Sequence, residues 1–209
     1  LLLLGEVQRQ LGRLVIAEES FSQALLLGAD SAYAVPRLAE ILLLQREYGK
    51  LLDEVSAQPL SGRARADVLG FQALALDRNG REEESAERLR QALAVDAMAR
   101  GPGMAQVESL LRSGQPAEAR SVAEALTVRY PQEARSWSLY GNTLLALGDA
   151  DRALEAFSHA LTVNDQLASV WLERAALHLS RDRIDAAMRD VDAALALAPQ
   201  DPRAAFLKA

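Results

Sequence analysis

The residues best suited to chemistry are few and scattered. His159 and His178 are the only histidines, and each would need an Asp, Glu or second His nearby to act as a ligand or a general base. No HExxH, GxSxG, P-loop or Gly-rich dinucleotide motif surrounds either of them. The run Glu82-Glu83-Glu84 could hold a cation, but it follows Asn79-Gly80, where a new helix is expected to start. Carboxylates in a first turn are explained by the helix dipole, at about 0.3–1 kcal/mol each. Asp149 and Asp151 read in the same way, as helix-start residues. Trp137 and Trp171 have the look of a sugar-stacking pair, and carboxylate pairs of the glycosidase kind can be collected from any acidic helical array. With no cysteine in the chain, disulfides, thiolate metal sites and cysteine nucleophiles are excluded. The sequence therefore gives no catalytic residue, no metal site and no cofactor, and points away from an enzyme.

The elements that position these residues explain most of them. Half of the 209 residues are apolar and a quarter charged, as in a folded chain. Aromatic residues make up only 5%, so the core must be built from Leu, Ala and Val, which suit close helix packing. The net charge of -6 comes without a basic cluster, which argues against nucleic acid as a partner. The runs Leu1–Leu4, Leu25–Leu27 and Leu42–Leu44 fall far short of the roughly 20 apolar residues of a membrane-spanning helix. No basic segment precedes Leu1 as in a signal peptide, and a start on leucine without Met is what a piece of a longer protein would show.

A single 34-residue period runs through the chain. Trp137, Tyr140, Gly141 and Leu144 are followed by Gly148-Asp149 and then by Ala153, Phe157 and Ala160. One period on from Trp137 stands Trp171, and from Ala153 and Ala160 stand Ala187 and Ala194. Stepping backwards, Gly148 maps onto Gly114, Gly80, Arg46 and Gly12; Phe157 maps onto Ala123, Leu89, Val55 and Phe21. Each unit reads as two antiparallel helices, with small residues admitting close backbones and a turn glycine supplying a left-handed cap. Asp182 takes that turn position in the last full unit, and Asp tolerates the conformation better than most residues. Trp137 and Trp171 then occupy equivalent core positions, His178 falls in an inter-helix layer, and His159 faces outward.

The pattern W-x-x-Y-G-x-x-L followed by A-x-x-x-F-x-x-A resembles the tetratricopeptide repeat signature across essentially all 209 residues. That resemblance implies an all-α, right-handed solenoid of antiparallel helix pairs. One array over 1–209 is expected: a first unit ending at 31, then 32–65, 66–99, 100–133, 134–167 and 168–201, with a seventh starting at 202–209. The second helix of 32–65 should be short, because Gln58-Pro59-Leu60-Ser61-Gly62 interrupts it. Gly101-Pro102-Gly103 should delay the first helix of its unit and allow a bend there.

The resemblance also implies a function. In such arrays the first helices line a concave face that holds a protein or peptide. Carried over by position, that face comprises Glu6, Arg9, Glu40, Asp77, Arg78, Met104, Glu108, Arg112, Arg135, Asn142, Leu145, Leu172 and Leu179. It is mixed in charge for most of its length and apolar near Leu145, Leu172 and Leu179, where Phe206 would join it. The chaperone-tail carboxylate clamp of the family is matched only by Asn142, and its lysine is absent, which disfavours that ligand. Leu38-Ala39-Glu40-Ile41-Leu42-Leu43-Leu44-Gln45, continuing to Tyr48-Gly49-Lys50-Leu51-Leu52-Asp53-Glu54, is similar to TPR lipoproteins of exosortase-linked exopolysaccharide systems. The chain is expected to be a protein-interaction scaffold with no cofactor. This narrower similarity points to exopolysaccharide assembly or export in a bacterial periplasm or envelope. The alternative is a targeting arm of an enzyme whose catalytic domain lies elsewhere.

Overall fold

The structure is a computed structural model that describes residues 1–208; Ala209, the end of the expected seventh unit, lies outside the described residues. Regular structure among the described residues consists of thirteen α-helices. They fall into two compact units, Leu1–Gln106 and Val107–Ala209.

The first unit holds α1 (Leu2–Gln10), α2 (Leu14–Leu26), α3 (Ser31–Leu44), α4 (Tyr48–Glu54), α5 (Gly62–Arg78), α6 (Glu82–Asp96) and the opening of α7 (Arg100–Arg112). The second holds the rest of α7, α8 (Pro116–Arg129), α9 (Ala134–Ala146), α10 (Ala150–Val163), α11 (Ala168–Leu179), α12 (Ile184–Leu197) and α13 (Pro202–Lys208). Pairs such as α1–α2, α5–α6, α9–α10 and α11–α12 pack as neighbours in chain order. This is the all-α repeat of helix pairs expected from the 34-residue period.

The turn inside each pair has the same backbone in every register. Gly12, Gly80, Gly114 and Gly148 take φ between 70° and 79°. Arg46 and Asp182 adopt the same left-handed conformation at 64° and 56° without being glycine. The period is thus imposed by the turn geometry even where the residue that suits it is missing. Asp149 caps α10 by accepting a hydrogen bond from the Arg152 amide at 3.3 Å. Glu82, Glu83 and Glu84 occupy the first turn of α6 and are exposed, with Glu84 paired to Arg81 at 2.6 Å. α4 is a seven-residue helix, as short as the sequence led us to expect.

Gly101-Pro102-Gly103 departs from expectation. α7 starts at Arg100, so these residues form its first turn and do not delay it. All three are buried. A Cβ on Gly70 would lie 2.2 Å from the Gly101 carbonyl carbon, and one on Gly101 would lie 2.4 Å from the Asp67 carbonyl oxygen. The glycines therefore let α5 and the start of α7 touch backbone to backbone, and the Gly101 amide donates to Asp67 Oδ1 at 2.7 Å. Burial pushes the Asp67 carboxyl above its ordinary value, while Arg100 and the Gly101 amide pull in the opposite direction.

Candidate partner-binding face

In the first unit the structure brings three of the expected face residues into one ion-pair network. Glu6 pairs with Arg9 at 2.7 Å along α1 and with Arg37 of α3 at 3.2 Å. Arg9 lies 3.8 Å from Glu40, and Arg100 reaches the same Glu40 carboxylate at 3.0 Å. Glu40 is only 2% exposed, so two guanidiniums compensate a carboxylate taken out of water. Burial works against the charge on Glu6, yet the Arg9 and Arg37 guanidiniums hold its carboxyl below the usual range. Position counting had nominated neither Arg37 nor Arg100. Asp77 is half-buried and Arg78 exposed at the end of α5. Met104 is fully buried, so it gives no surface to a ligand; the close approach of α5 and α7 accounts for its position.

In the second unit Glu108 and Arg135 pair at 3.1 Å across α7 and α9, and Arg112 is exposed at the end of α7. Asn142 sends its Nδ2 toward Glu173 Oε1 at 3.5 Å. Leu145 and Leu179 are half-buried. Leu172 is 3% exposed and belongs to a core cluster with Ala175, Val191, Ala194 and Ala204, because α12 and α13 cover its side chain. It forms the floor of the face and is not a free contact.

Beside that floor lies an open groove of about 450 Å³, lined by Leu172, Glu173, Ala176, Pro202, Arg203, Phe206 and Leu207. It is built from first helices alone, α11 and α13, and is apolar except for Glu173 and Arg203. Phe206 is 81% exposed along one side. Burial pushes the Glu173 carboxyl above its ordinary value, against the pull of Asn142, Arg203 and Ser138. Its Oε2 is buried and has no hydrogen-bond partner. The sequence reading missed Glu173 because it sits one residue beyond the Leu172 stripe position.

The remaining candidate residues have structural surroundings. Trp137 and Trp171 are half-buried, and Trp171 packs against the core cluster of Leu172, Ala175, Val191, Ala194 and Ala204. Each indole N–H donates to a loop carbonyl six residues earlier, Pro131 at 2.9 Å and Asp165 at 2.8 Å. His159 is exposed against the Trp137 ring, with centroids 4.0 Å apart. His178 lies between helices, 3.9 Å from Asp190, and burial holds its pKa down. Among the described residues no group of three His, Asp or Glu side chains is placed to hold a metal ion, and no helix is long and apolar enough to cross a membrane.

Comparison with known proteins agrees with this geometry. The tetratricopeptide repeat family model matches residues 104–168 and 141–202. No curated protein matches the sequence. Among solved structures, the APC/C Cut9–Hcn1 hetero-tetramer superposes with a TM-score of 0.70 at 16% identity, over 97% of this chain and 40% of that one. The present chain thus spans well under half of that protein chain's length. PilF of Pseudomonas aeruginosa gives 0.62 at 21% identity, over 85% of this chain and 81% of that one. MamA of Desulfovibrio magneticus RS-1 gives 0.53 at 16% identity, over 88% and 94%. These likenesses establish the fold. The family match identifies residues 104–202 as tetratricopeptide repeats, and the same left-handed turn recurs upstream at Gly12, Arg46 and Gly80.

Proposed function

We propose that the chain is a protein-interaction scaffold and that its working surface is the first-helix face of the second unit, centred on the groove between α11 and α13. The observation that supports this most is the groove itself. It is an apolar trough with an exposed aromatic wall, Phe206, on the face where the repeat pattern leaves side chains uncovered by a second helix. Apolar surface of this kind, edged by polar groups, marks a contact site for another protein. Arg135, Glu108, Asn142 and Arg112 extend the face away from the groove with polar groups that fix the register of an extended segment. The similarity of residues 38–54 to exopolysaccharide-system lipoproteins supports a partner in envelope exopolysaccharide assembly or export.

The test is affinity capture with the parent chain and with an Asn142→Ala/Phe206→Glu variant, both checked for helix content. Both residues offer accessible side chains, unlike Leu172, whose replacement would disrupt the core. A protein retained by the parent and lost by the folded variant supports the assignment. The same proteins retained by both would remove the face from consideration.

A further inference from the structure

The Glu173 carboxylate poses a specific problem for the groove. Among the described residues it has no ion pair; Asn142, at a long 3.5 Å, and Ser138 face the carboxyl, and its Oε2 is without a hydrogen-bond partner. A buried acceptor without a donor is costly. Among the described residues the cation lining the same groove is Arg203, which donates to both Asp201 carboxylate oxygens, at 3.1 Å and 2.7 Å, and acts on Glu173 through its charge alone. The Arg203 hydrogen bonds are thus directed to Asp201, and Glu173 has no hydrogen-bonded cation among the described residues. The other lining side chains, Leu172, Ala176, Pro202, Phe206 and Leu207, are apolar.

We propose that this groove selects a peptide segment in which a large apolar side chain adjoins a lysine or arginine, the apolar group packing on Phe206 and Leu207 and the cation pairing with Glu173. This rests on the groove being the docking surface argued above and adds the chemistry of what it takes. The apolar lining accounts for attachment, because a Leu- or Phe-sized side chain gains from leaving water against Phe206. The carboxylate accounts for selection. An ammonium or guanidinium beside Glu173 supplies a countercharge in a site of low polarity, where charge-assisted interactions are strong. A neutral residue leaves Glu173 unsatisfied, and an acidic one adds repulsion.

A phage-displayed random heptapeptide library, selected in parallel on the parent chain, on Glu173→Gln and on Phe206→Glu, tests this. Peptides recovered on the parent should be enriched about tenfold in Lys or Arg next to an apolar residue, the factor at the low end for a contact to a charged group. On Glu173→Gln the apolar preference should persist and the basic enrichment disappear. On Phe206→Glu both should be lost. Apolar peptides without basic enrichment on the parent would overturn the role of Glu173 while leaving the groove as a docking site. Peptides recovered equally on all three proteins would overturn both readings.

Discussion

The Phe157 ring occupies the space in which a side chain on Gly141 would have to sit: a Cβ at Gly141 would fall 2.5 Å from Phe157 Cε1. Gly5 and Phe21 repeat the relationship in the pair α1–α2, at 2.9 Å. The intervening registers pair Ala39 with Val55, Ala73 with Leu89 and Val107 with Ala123, and Ala175 with Val191 follows. In each register a larger residue at one position is matched by a smaller one at the other, the pattern expected where the two share one space. Gly141→Ala should therefore cost about 1–3 kcal/mol through overpacking. Phe157→Leu alone should cost about 1–2 kcal/mol through the void it leaves. The double variant copies the Ala73/Leu89 arrangement and should recover most of both losses in urea denaturation. Additive losses would show that the two positions do not share one space.

Arg46 provides a separate test of the turn. It holds a left-handed conformation that five companion registers assign to glycine or aspartate. Arg46→Gly should raise stability by about 1 kcal/mol, and Gly148→Ala should lower it by about the same amount. Hydrogen exchange of the α3 and α9 amides would localise each effect to its own helix pair, as expected for an array with nearest-neighbour coupling.

Arg174 and Asp190 form a two-point ion pair at 2.8 Å and 2.7 Å, with Asp190 4% exposed. One register earlier the same places are held by Tyr140 and Ala156. Arg174→Met should cost about 3 kcal/mol, since it strands a buried carboxylate. Arg174→Tyr/Asp190→Ala, which transplants the upstream pair, should come within about 1 kcal/mol of the parent. Thermal denaturation of the three proteins distinguishes this from a network whose charges are individually dispensable.

Glu173 also makes a prediction about pH. Its folded-state pKa is raised by burial, so the folded chain holds that proton more tightly than the unfolded chain does. Its charge therefore opposes folding at neutral pH, and the penalty disappears as pH falls through the folded pKa toward the unfolded value of about 4.3. Glu173→Gln should have the higher Tm at pH 7, with the gap closing near pH 4. A gap that stays constant with pH would mean that the carboxylate is not desolvated.

The features readable in the sequence are those that recur with the chain's own period. The register, the left-handed turns at Gly12 through Asp182 and the short α4 follow from local residue types at fixed spacing. What escaped it depends on depth and on neighbours distant in sequence. Gly101-Pro102-Gly103 looks like a helix breaker until Asp67 and Gly70 of α5 are seen against it. The stripe of face positions indicates direction but not cover, so it includes Glu40, Met104 and Leu172 although all three are buried. Glu173 was passed over because its importance lies in a missing hydrogen-bond donor, which no spacing rule reveals.

The central claim, that the first-helix face of the second unit is where a partner sits, is tested most directly by site-specific photocrosslinking in cells of the source organism. A photoreactive phenylalanine at Ala176, exposed in the groove, is compared with one at Thr162, exposed on the second helix α10. A discrete protein adduct from Ala176 and none from Thr162 is the predicted result. Equal adducts from both positions, or an adduct from Thr162 alone, would contradict it.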